Sequence, residues 1–264
     1  MSMNFGLVTV PRSGSDWVRS VQDAEHQGYG SVQLPDTLYT PSPFPVLAAA
    51  AAVTSTIRLR PNVLAAPMRS AAATVRETAA LQMLSDGRFE LGIGAGRPDA
   101  QAEAEKFGVP WGSGGDRRRH LIATVEAVRA GVQPVPAIVI AASGPRMLAT
   151  AAEFADRIHL AVEPSATEQD IAGIVATVRD HTDRPIVFSL QAVGIGDRLP
   201  YYLSARMSLT GDQLRAAGAA ALIPADPAEA AEILEYRREK YGIDELLVPG
   251  ELAEAFAPIL ARCR

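Results

Sequence analysis

The sequence has a single cysteine and no long hydrophobic run, and each of these scarcities excludes a class of protein. Cys263 has no partner for an internal disulfide, which fits a reducing, cytoplasmic environment. The longest apolar stretch, Val46 to Val53, is far shorter than the ~20 residues that a membrane-spanning helix needs. No basic segment precedes the first apolar one, so we expect no signal peptide.

The sequence also lacks the charge and histidine patterns that are typical of nucleic-acid-binding and metal-binding proteins. The net charge is −5, and the chain has no basic stripe with interleaved aromatic residues, so nucleic acid is not an expected partner. The 4 histidines include no pair at the spacing of metal ligands, so no metal is predicted. A Gly-x-Ser-x-Gly elbow and a reactive-cysteine context are both missing, which argues against nucleophilic catalysis.

Short apolar runs alternate with helical patterns along the 264 residues. Helix starts are marked by a capping-box pattern at Thr167 with Asp170, and by Asp226 followed by Pro227. The apolar runs are Asn4 to Val10, Ser31 to Pro35, Ile57 to Leu64, Arg88 to Ile93, Ala137 to Ala142, Arg157 to Val162, Pro185 to Val193 and Glu245 to Pro249.

Eight strands, each followed by a helix, predict an α/β protein with the (β/α)8 TIM barrel fold. No linker divides the chain, so we expect a single domain over residues 1–264. A doubly wound open sheet is the alternative. The connections after the fourth and seventh predicted strands are long: Ala95 to Gly115 and Gly194 to Ala225. Both lie on the face where barrels keep their active sites.

The fourth apolar run ends in closely spaced glycines, Gly92, Gly94 and Gly96. A dinucleotide-binding fingerprint needs the spacing G-x-G-x-x-G at the opening of a helix. Here the spacing is G-x-G-x-G, followed by Arg97 and Pro98, so that interpretation is rejected. Two readings of the pattern remain: a tight turn at a strand end, and a turn whose bare backbone a ligand approaches.

Two longer segments carry a resemblance to a known family. They are TSTIRLRPNVLAAPMRSAAATVRETAALQMLSDGRFELGIGAGRP and AIVIAASGPRMLATAAEFADRIHLAV. The first resembles the hallmark of the bacterial luciferase-like monooxygenase superfamily, and the second resembles its later strand, A-S-G-P turn and helix. Within the superfamily, the sequence is most similar to the branch that uses the deazaflavin coenzyme F420. The resemblance implies a barrel that binds F420, or alternatively FMN, at the carboxyl ends of its strands.

The resemblance also implies which residues hold the cofactor. The glycine turn would lie beside the ring and ribityl chain, because absent side chains let backbone N–H groups close on a ligand. The A-S-G turn precedes a helix whose N-terminus would attract the cofactor phosphate, with an ordinary helix cap as the alternative. A bulge in the third strand often holds a non-prolyl cis peptide in this branch. The implied residues are Asp36, Asn62, Val63, Gly94, Ala95, Gly96, Ala142, Ser143 and Gly144.

Two positions depart from the family's sugar-phosphate dehydrogenases. Their histidine after the aspartate is replaced by Thr37, and Arg97 stands where they carry a glutamate. Asp36 could contact the cofactor or cap the next segment. Arg97 could pair with a phosphate or an acidic substrate, or remain a solvated loop charge. Tyr39 is a candidate proton donor or pocket wall, with the aromatic packing of loops as the alternative interpretation.

The function predicted from this resemblance is that of an F420-dependent oxidoreductase acting on a small organic substrate. Because the dehydrogenase-type histidine and glutamate are missing, we favour reduction of a C=C or C=N bond by hydride transfer. An FMN-dependent monooxygenase using O₂ and a non-catalytic, degenerate barrel are the alternatives. A homodimer is possible, and the sequence assigns neither the catalytic residue nor the substrate. The basic residues that flank the first long connection could meet the glutamate tail of F420 or form a solvated face: Lys106, Arg117, Arg118 and Arg119.

Overall fold

A computed structural model of the chain describes residues 3–97 and 99–263. Pro98, which follows the glycine turn, therefore lies outside the described residues. The chain forms two compact units. The first comprises the described residues of Met1–Thr9, Ala142–Glu153 and Arg157–Arg264, and the second those of Val10–Ala141 and Phe154–Asp156.

Every apolar run predicted from the sequence overlaps a strand. The third run overlaps two strands, because the chain leaves the extended ladder at Asn62 and Val63. The strands are β1 (Asn4–Val8), β2 (Ser31–Leu34), β3 (Arg58–Pro61), β4 (Leu64–Ala65), β5 (Leu91–Gly94), β6 (Ile138–Ala142), β7 (Arg157–Leu160), β8 (Val187–Gln191), β9 (Gly194–Ile195), β10 (Leu222–Ile223) and β11 (Ile243–Pro249).

Helices follow the main strands, as the alternating pattern predicts. They are α1 (Gly14–Gln27), α2 (Pro43–Ala51), α3 (Ala71–Leu84), α4 (Gln101–Lys106), α5 (Gly114–Gly131), α6 (Pro145–Phe154), α7 (Glu168–Arg179), α8 (Gly211–Ala216), α9 (Pro227–Tyr241) and α10 (Ala253–Arg262). Short 3₁₀ turns cover Ala66–Met68 and Gly250–Leu252, and a π-helical turn covers Tyr202–Arg206. None of the described helices is both long and apolar enough to cross a membrane.

In the first unit, β1 pairs with β11, β11 with β8, and β8 with β7, all in parallel. The short strands β9 and β10 form a separate parallel pair within the long connection after β8. The capping box of α7 is present, with Thr167 accepting from the Asp170 N–H and Asp170 accepting from the Thr167 N–H. Asp226 caps α9 ahead of Pro227, as its sequence predicts.

In the second unit, β2 pairs in parallel with β3, β4 with β5, and β5 with β6. The side chains between strands and helices are apolar and buried, for example Leu59 on β3 and Val125 on α5. Arg88 in the Gly-Arg turn is structural: its guanidinium donates to the carbonyls of Ala51, Thr54 and Ile57. The parallel pairing of these strands fixes the carboxyl ends of β2, β4 and β5, which carry the glycine-turn part of the candidate site.

Candidate cofactor site

The glycine turn begins where β5 ends, against the neighbouring strand β4. Gly94 pairs with Ala65, and Ile93 pairs with Leu64. A Cβ atom built on Gly94 would lie 2.9 Å from Cγ2 of Val63, closer than real Cβ atoms come to a neighbour. Only glycine therefore fits at position 94 without displacing Val63.

Val63 belongs to the break between β3 and β4. The peptide bond between Asn62 and Val63 is cis. The Asn62 N–H donates to the Leu34 carbonyl, 2.8 Å away at the end of β2. The predicted bulge therefore exists, and it places Val63 beside Gly94.

The second glycine of the turn is enclosed by a residue that the sequence did not suggest. Gly96 has a φ of +80°, and a Cβ there would overlap Cη2 of Trp111 and lie 3.2 Å from Cζ3. The Arg117 guanidinium carbon lies 4.4 Å from the Trp111 ring centroid. Arg117 Nε also donates to the Ala95 carbonyl at 3.1 Å, so the whole turn is held from this side.

Asp36 anchors the segment that follows the cis peptide. Its carboxylate accepts from the Ala65 N–H at 3.0 Å and from both terminal nitrogens of Arg69, at 2.5 and 3.1 Å. Both side chains of the ion pair are largely buried. In turn, His120 Nε2 lies 2.8 Å from the Arg69 carbonyl, which ties α5 to the same segment. Asp36 thus has a structural role whether or not it contacts a cofactor.

Arg97 is half-exposed and paired with acidic residues. Its guanidinium contacts Glu103 at 2.5 Å and Asp99 at 3.2 Å. Burial tends to lower the pKa of Arg97, but the hydrogen bonds and charges of Glu103 and Asp99 outweigh it and raise that pKa. The other Glu103 oxygen accepts from the Leu38 N–H at 3.0 Å, so α4 holds the loop after β2 as well. Tyr39, on that loop, has an exposed side chain.

The predicted phosphate turn belongs to the first unit. β6 ends at the buried Ala142, and Ser143 and Gly144 are exposed ahead of α6. The Gly144 carbonyl accepts from the N–H groups of Met147 and Leu148, both at 2.9 Å. An open groove of about 530 Å³ adjoins the turn, lined by Ser143, Pro145, Leu148, Gln169, Asp170, Gly173, Ile174 and Thr177.

Tyr202, in the first unit, has a raised pKa. Burial raises the pKa of Tyr202, while the Gln191 amide, which donates to its hydroxyl at 3.4 Å, acts in the opposite direction. Tyr202 is therefore held protonated more firmly than a tyrosine with its ordinary pKa. Within residues 3–97 and 99–263, no group of three or more His, Cys, Asp or Glu side chains could hold a metal ion.

Comparisons with known proteins agree with this architecture. A family model described as luciferase-like monooxygenase matches residues 3–232. A curated 5,10-methylenetetrahydromethanopterin reductase from Methanolobus tindarius is 28% identical over 199 residues, which cover 66% of this chain. The chain spans only 59% of that relative's length.

Solved structures share the fold over nearly the whole chain. The coenzyme F420-dependent tetrahydromethanopterin reductase from Methanopyrus kandleri has a TM-score of 0.75 at 18% identity, covering 99% of this chain and 98% of that one. Monooxygenase RslO1 from Streptomyces bottropensis has a TM-score of 0.72 at 20% identity, with coverages of 98% and 97%. The predicted (β/α)8 TIM barrel is confirmed. Since the family model matches well over half of its residues, the chain belongs to the luciferase-like monooxygenase family.

Proposed function

We propose that this protein is an F420-dependent oxidoreductase that transfers a hydride between reduced deazaflavin and a small organic substrate. The observation that carries the proposal is the bare glycine turn at the end of β5, where Gly94 packs against Val63. Family membership supports a cofactor-dependent oxidoreductase, and the F420-dependent reductase of the same fold supports the deazaflavin.

The residues present fit a cofactor with a flat ring and a phosphate. At the turn, Val63 and Trp111 occupy the Cβ positions of Gly94 and Gly96, so the turn carries only the methyl group of Ala95. When bound, F420 supplies a hydride at C5 of its deazaflavin ring. The turn would bind the ring and ribityl part through its backbone, with Val63 behind it. The exposed Ser143 and its neighbours would hold the phosphate at the start of α6.

The residues at two positions support a reduction rather than an alcohol oxidation. Thr37 has no imidazole with which to take a proton from an alcohol, and Arg97 replaces a carboxylate with a cation. These residues therefore favour reduction of a C=C or C=N bond over oxidation of a sugar-type alcohol. Arg97 would draw an acidic substrate only by exchanging Glu103 or Asp99 for the ligand's carboxylate.

A second function has its own support. The family model describes monooxygenases, and RslO1 has the same fold at 20% identity. An FMN-dependent monooxygenase that uses O₂ is therefore the alternative. A degenerate barrel without a cofactor is the third candidate.

Parallel titration with F420 and FMN tests the proposal. We expect F420 to bind at micromolar concentrations and FMN much more weakly, with binding followed by the fluorescence of each cofactor. Gly94→Ala should weaken that binding, and its matched control is Gly14→Ala, at an exposed glycine of α1 where a Cβ would meet no heavy atom within 4 Å. Preferential FMN binding, with turnover that consumes O₂ and stops under anaerobic conditions, would move the assignment to the monooxygenase. Binding of neither cofactor would favour the degenerate barrel.

The proposal also covers domain organisation, substrate class, assembly and location. We propose one domain over residues 1–264, a small-molecule substrate, and a homodimer as its assembly, which light scattering at micromolar concentration would measure. The single Cys263 supports a cytoplasmic location, because a chain without disulfides suits a reducing compartment.

A further inference from the structure

We propose that Trp111 and Arg117 form a clamp that fixes the Gly94–Gly96 turn in its ligand-binding conformation before the cofactor arrives. Both are positioning residues, because their contacts are with the turn and its loop. The inference rests on the proposed cofactor site, since it assigns that site's shape to two residues of the long connection after β5.

Arg117 joins the two ends of that connection. Its Nε donates to the Ala95 carbonyl at 3.1 Å, and its Nη1 donates to the Gly112 carbonyl at 3.0 Å. The planar guanidinium also stacks over the Trp111 ring at 4.4 Å. A lysine could not make these contacts together, because they need several donors in one plane and a flat cation to stack. The turn and the far end of the loop are therefore held by one side chain.

Trp111 completes the clamp by covering Gly96, whose backbone has a positive φ. Gly96 has a φ of +80°, a conformation that side chains disfavour, and the indole edge occupies the space where its Cβ would stand. The indole thus packs against the turn's backbone on one side and against Arg117 on another. Any movement of the turn away from its present shape would separate these groups.

Arg117, one of the two clamp residues, lies on a rigid element, the helix α5. Ser113 and Asp116 form a capping box at the start of α5, and the Arg117 N–H donates to the Ser113 carbonyl at 3.0 Å. One turn further along, His120 contacts the Arg69 carbonyl at 2.8 Å. Residues carried on a fixed helix position a site more precisely than residues on free loops. A turn organised in advance spares the ligand the cost of ordering it on binding.

The test compares single substitutions in the cofactor-free protein and in the cofactor titration. Arg117→Met and Trp111→Leu remove the clamp, Trp111→Tyr keeps a flat ring, and Arg19→Met is the control because Arg19 is an exposed arginine of α1. Hydrogen exchange of the cofactor-free proteins reports the mobility of residues 94–112. In a Trp17→Phe background, fluorescence reports Trp111 alone, because the chain has 2 tryptophans.

We expect Arg117→Met and Trp111→Leu to raise exchange within residues 94–112 about tenfold and to weaken F420 binding by about the same factor. Melting temperatures should stay close to that of the parent, and Arg117→Met should change the Trp111 emission. Trp111→Tyr should recover most of the affinity and Arg19→Met should retain all of it. Unchanged exchange in both clamp variants would overturn the proposal, as would a loss of affinity that simply follows a loss of stability. If the parent binds neither F420 nor FMN, the proposed function fails, while the exchange measurement still decides whether the clamp exists.

Discussion

A methyl group on Gly94 would stand 2.9 Å from Cγ2 of Val63, so the valine leaves room for no side chain at position 94. Gly94 closes β5, and Val63 follows the cis peptide ahead of β4. The glycine is thus required by the packing of the turn itself. The missing side chain makes room for Val63, and this packing sets the shape of the turn that a ligand would meet.

Gly94→Ala should therefore weaken cofactor binding at least about tenfold, because Val63 must shift and the turn with it. The overpacking should also cost about 1–3 kcal/mol of unfolding free energy. Urea unfolding and F420 titration measure the two effects separately.

Combining Gly94→Ala with Val63→Ala identifies the cause of the lost binding. If the clash with Val63 is the cause, the second change restores stability and part of the affinity. If the methyl group blocks the ligand directly, stability returns but affinity does not. A Gly94→Ala variant that binds like the parent would contradict the site assignment.

Asp36 is expected to contribute to stability as well as to the site. Asp36→Ala would leave the Arg69 guanidinium and the Ala65 N–H without their carboxylate in largely buried surroundings. The expected loss is about 2–4 kcal/mol, whereas Asp36→Asn keeps an acceptor for the Ala65 N–H and should cost less. Urea unfolding measures both variants.

Asp197→Ala is the matched control for this ion pair. Asp197 pairs with Arg215 at 2.7 Å, but its side chain is 88% exposed. Its removal should leave stability nearly unchanged, because exposed ion pairs contribute little. Equal losses for Asp36→Ala and Asp197→Ala would mean that Asp36 is not a buried anchor.

The sequence determined the elements well because their signals are local. Capping at Thr167 and Asp226 depends on residues within one helical turn, and both caps are present. The buried face of α7, formed by Ile171, Val175 and Val178, follows from helical periodicity. The positions of the main strands likewise follow from short apolar runs, whereas the short strands β9 and β10 lie in a segment predicted as a connection.

The contacts that shape the candidate site are not local, and for that reason the sequence left most of them open. Arg69 lies far along the chain from Asp36, and no spacing rule links the two. Trp111 sits in the long connection after β5, where packing against Gly96 depends on how the loop folds back. The charge run at Arg117 is typical of a solvated face, yet Arg117 bonds to carbonyls at both ends of the loop.

Glu25 should make the stability of the second unit depend on pH in the acid range. One of its oxygens accepts from the N–H groups of Ser55, Thr56 and Ile57, at 2.6 to 2.9 Å. Burial opposes ionisation, but these bonds and the Thr56 hydroxyl prevail and lower the pKa of Glu25 from 4.5 to about 2. A lowered pKa in the folded state means that the stabilisation is complete above pH 4.5 and disappears as the pH falls to about 2.

Glu25→Gln should therefore unfold at a lower temperature than the parent at pH 7, and the difference should shrink between about pH 4.5 and pH 2. Thermal unfolding across that range measures it. Glu77→Gln, at an exposed position of α3, should leave the profile of the parent unchanged. A difference that stays constant down to pH 2 would show that hydrogen bonding without the charge accounts for the effect of Glu25.

Gly173 offers the opposite case to Gly94, a glycine that the packing does not require. It lies inside α7, and a Cβ there would meet no heavy atom within 4 Å, leaving aside the neighbouring helix backbone. Gly173→Ala should therefore raise the unfolding free energy by about 1 kcal/mol, because alanine loses less backbone freedom on folding. The same change at Gly131, near the end of α5, should gain less, since its Cβ would come within 3.0 Å of Val75. Urea unfolding of the two variants measures the contrast. A loss of stability in Gly173→Ala would mean that the packing around α7 does require this glycine.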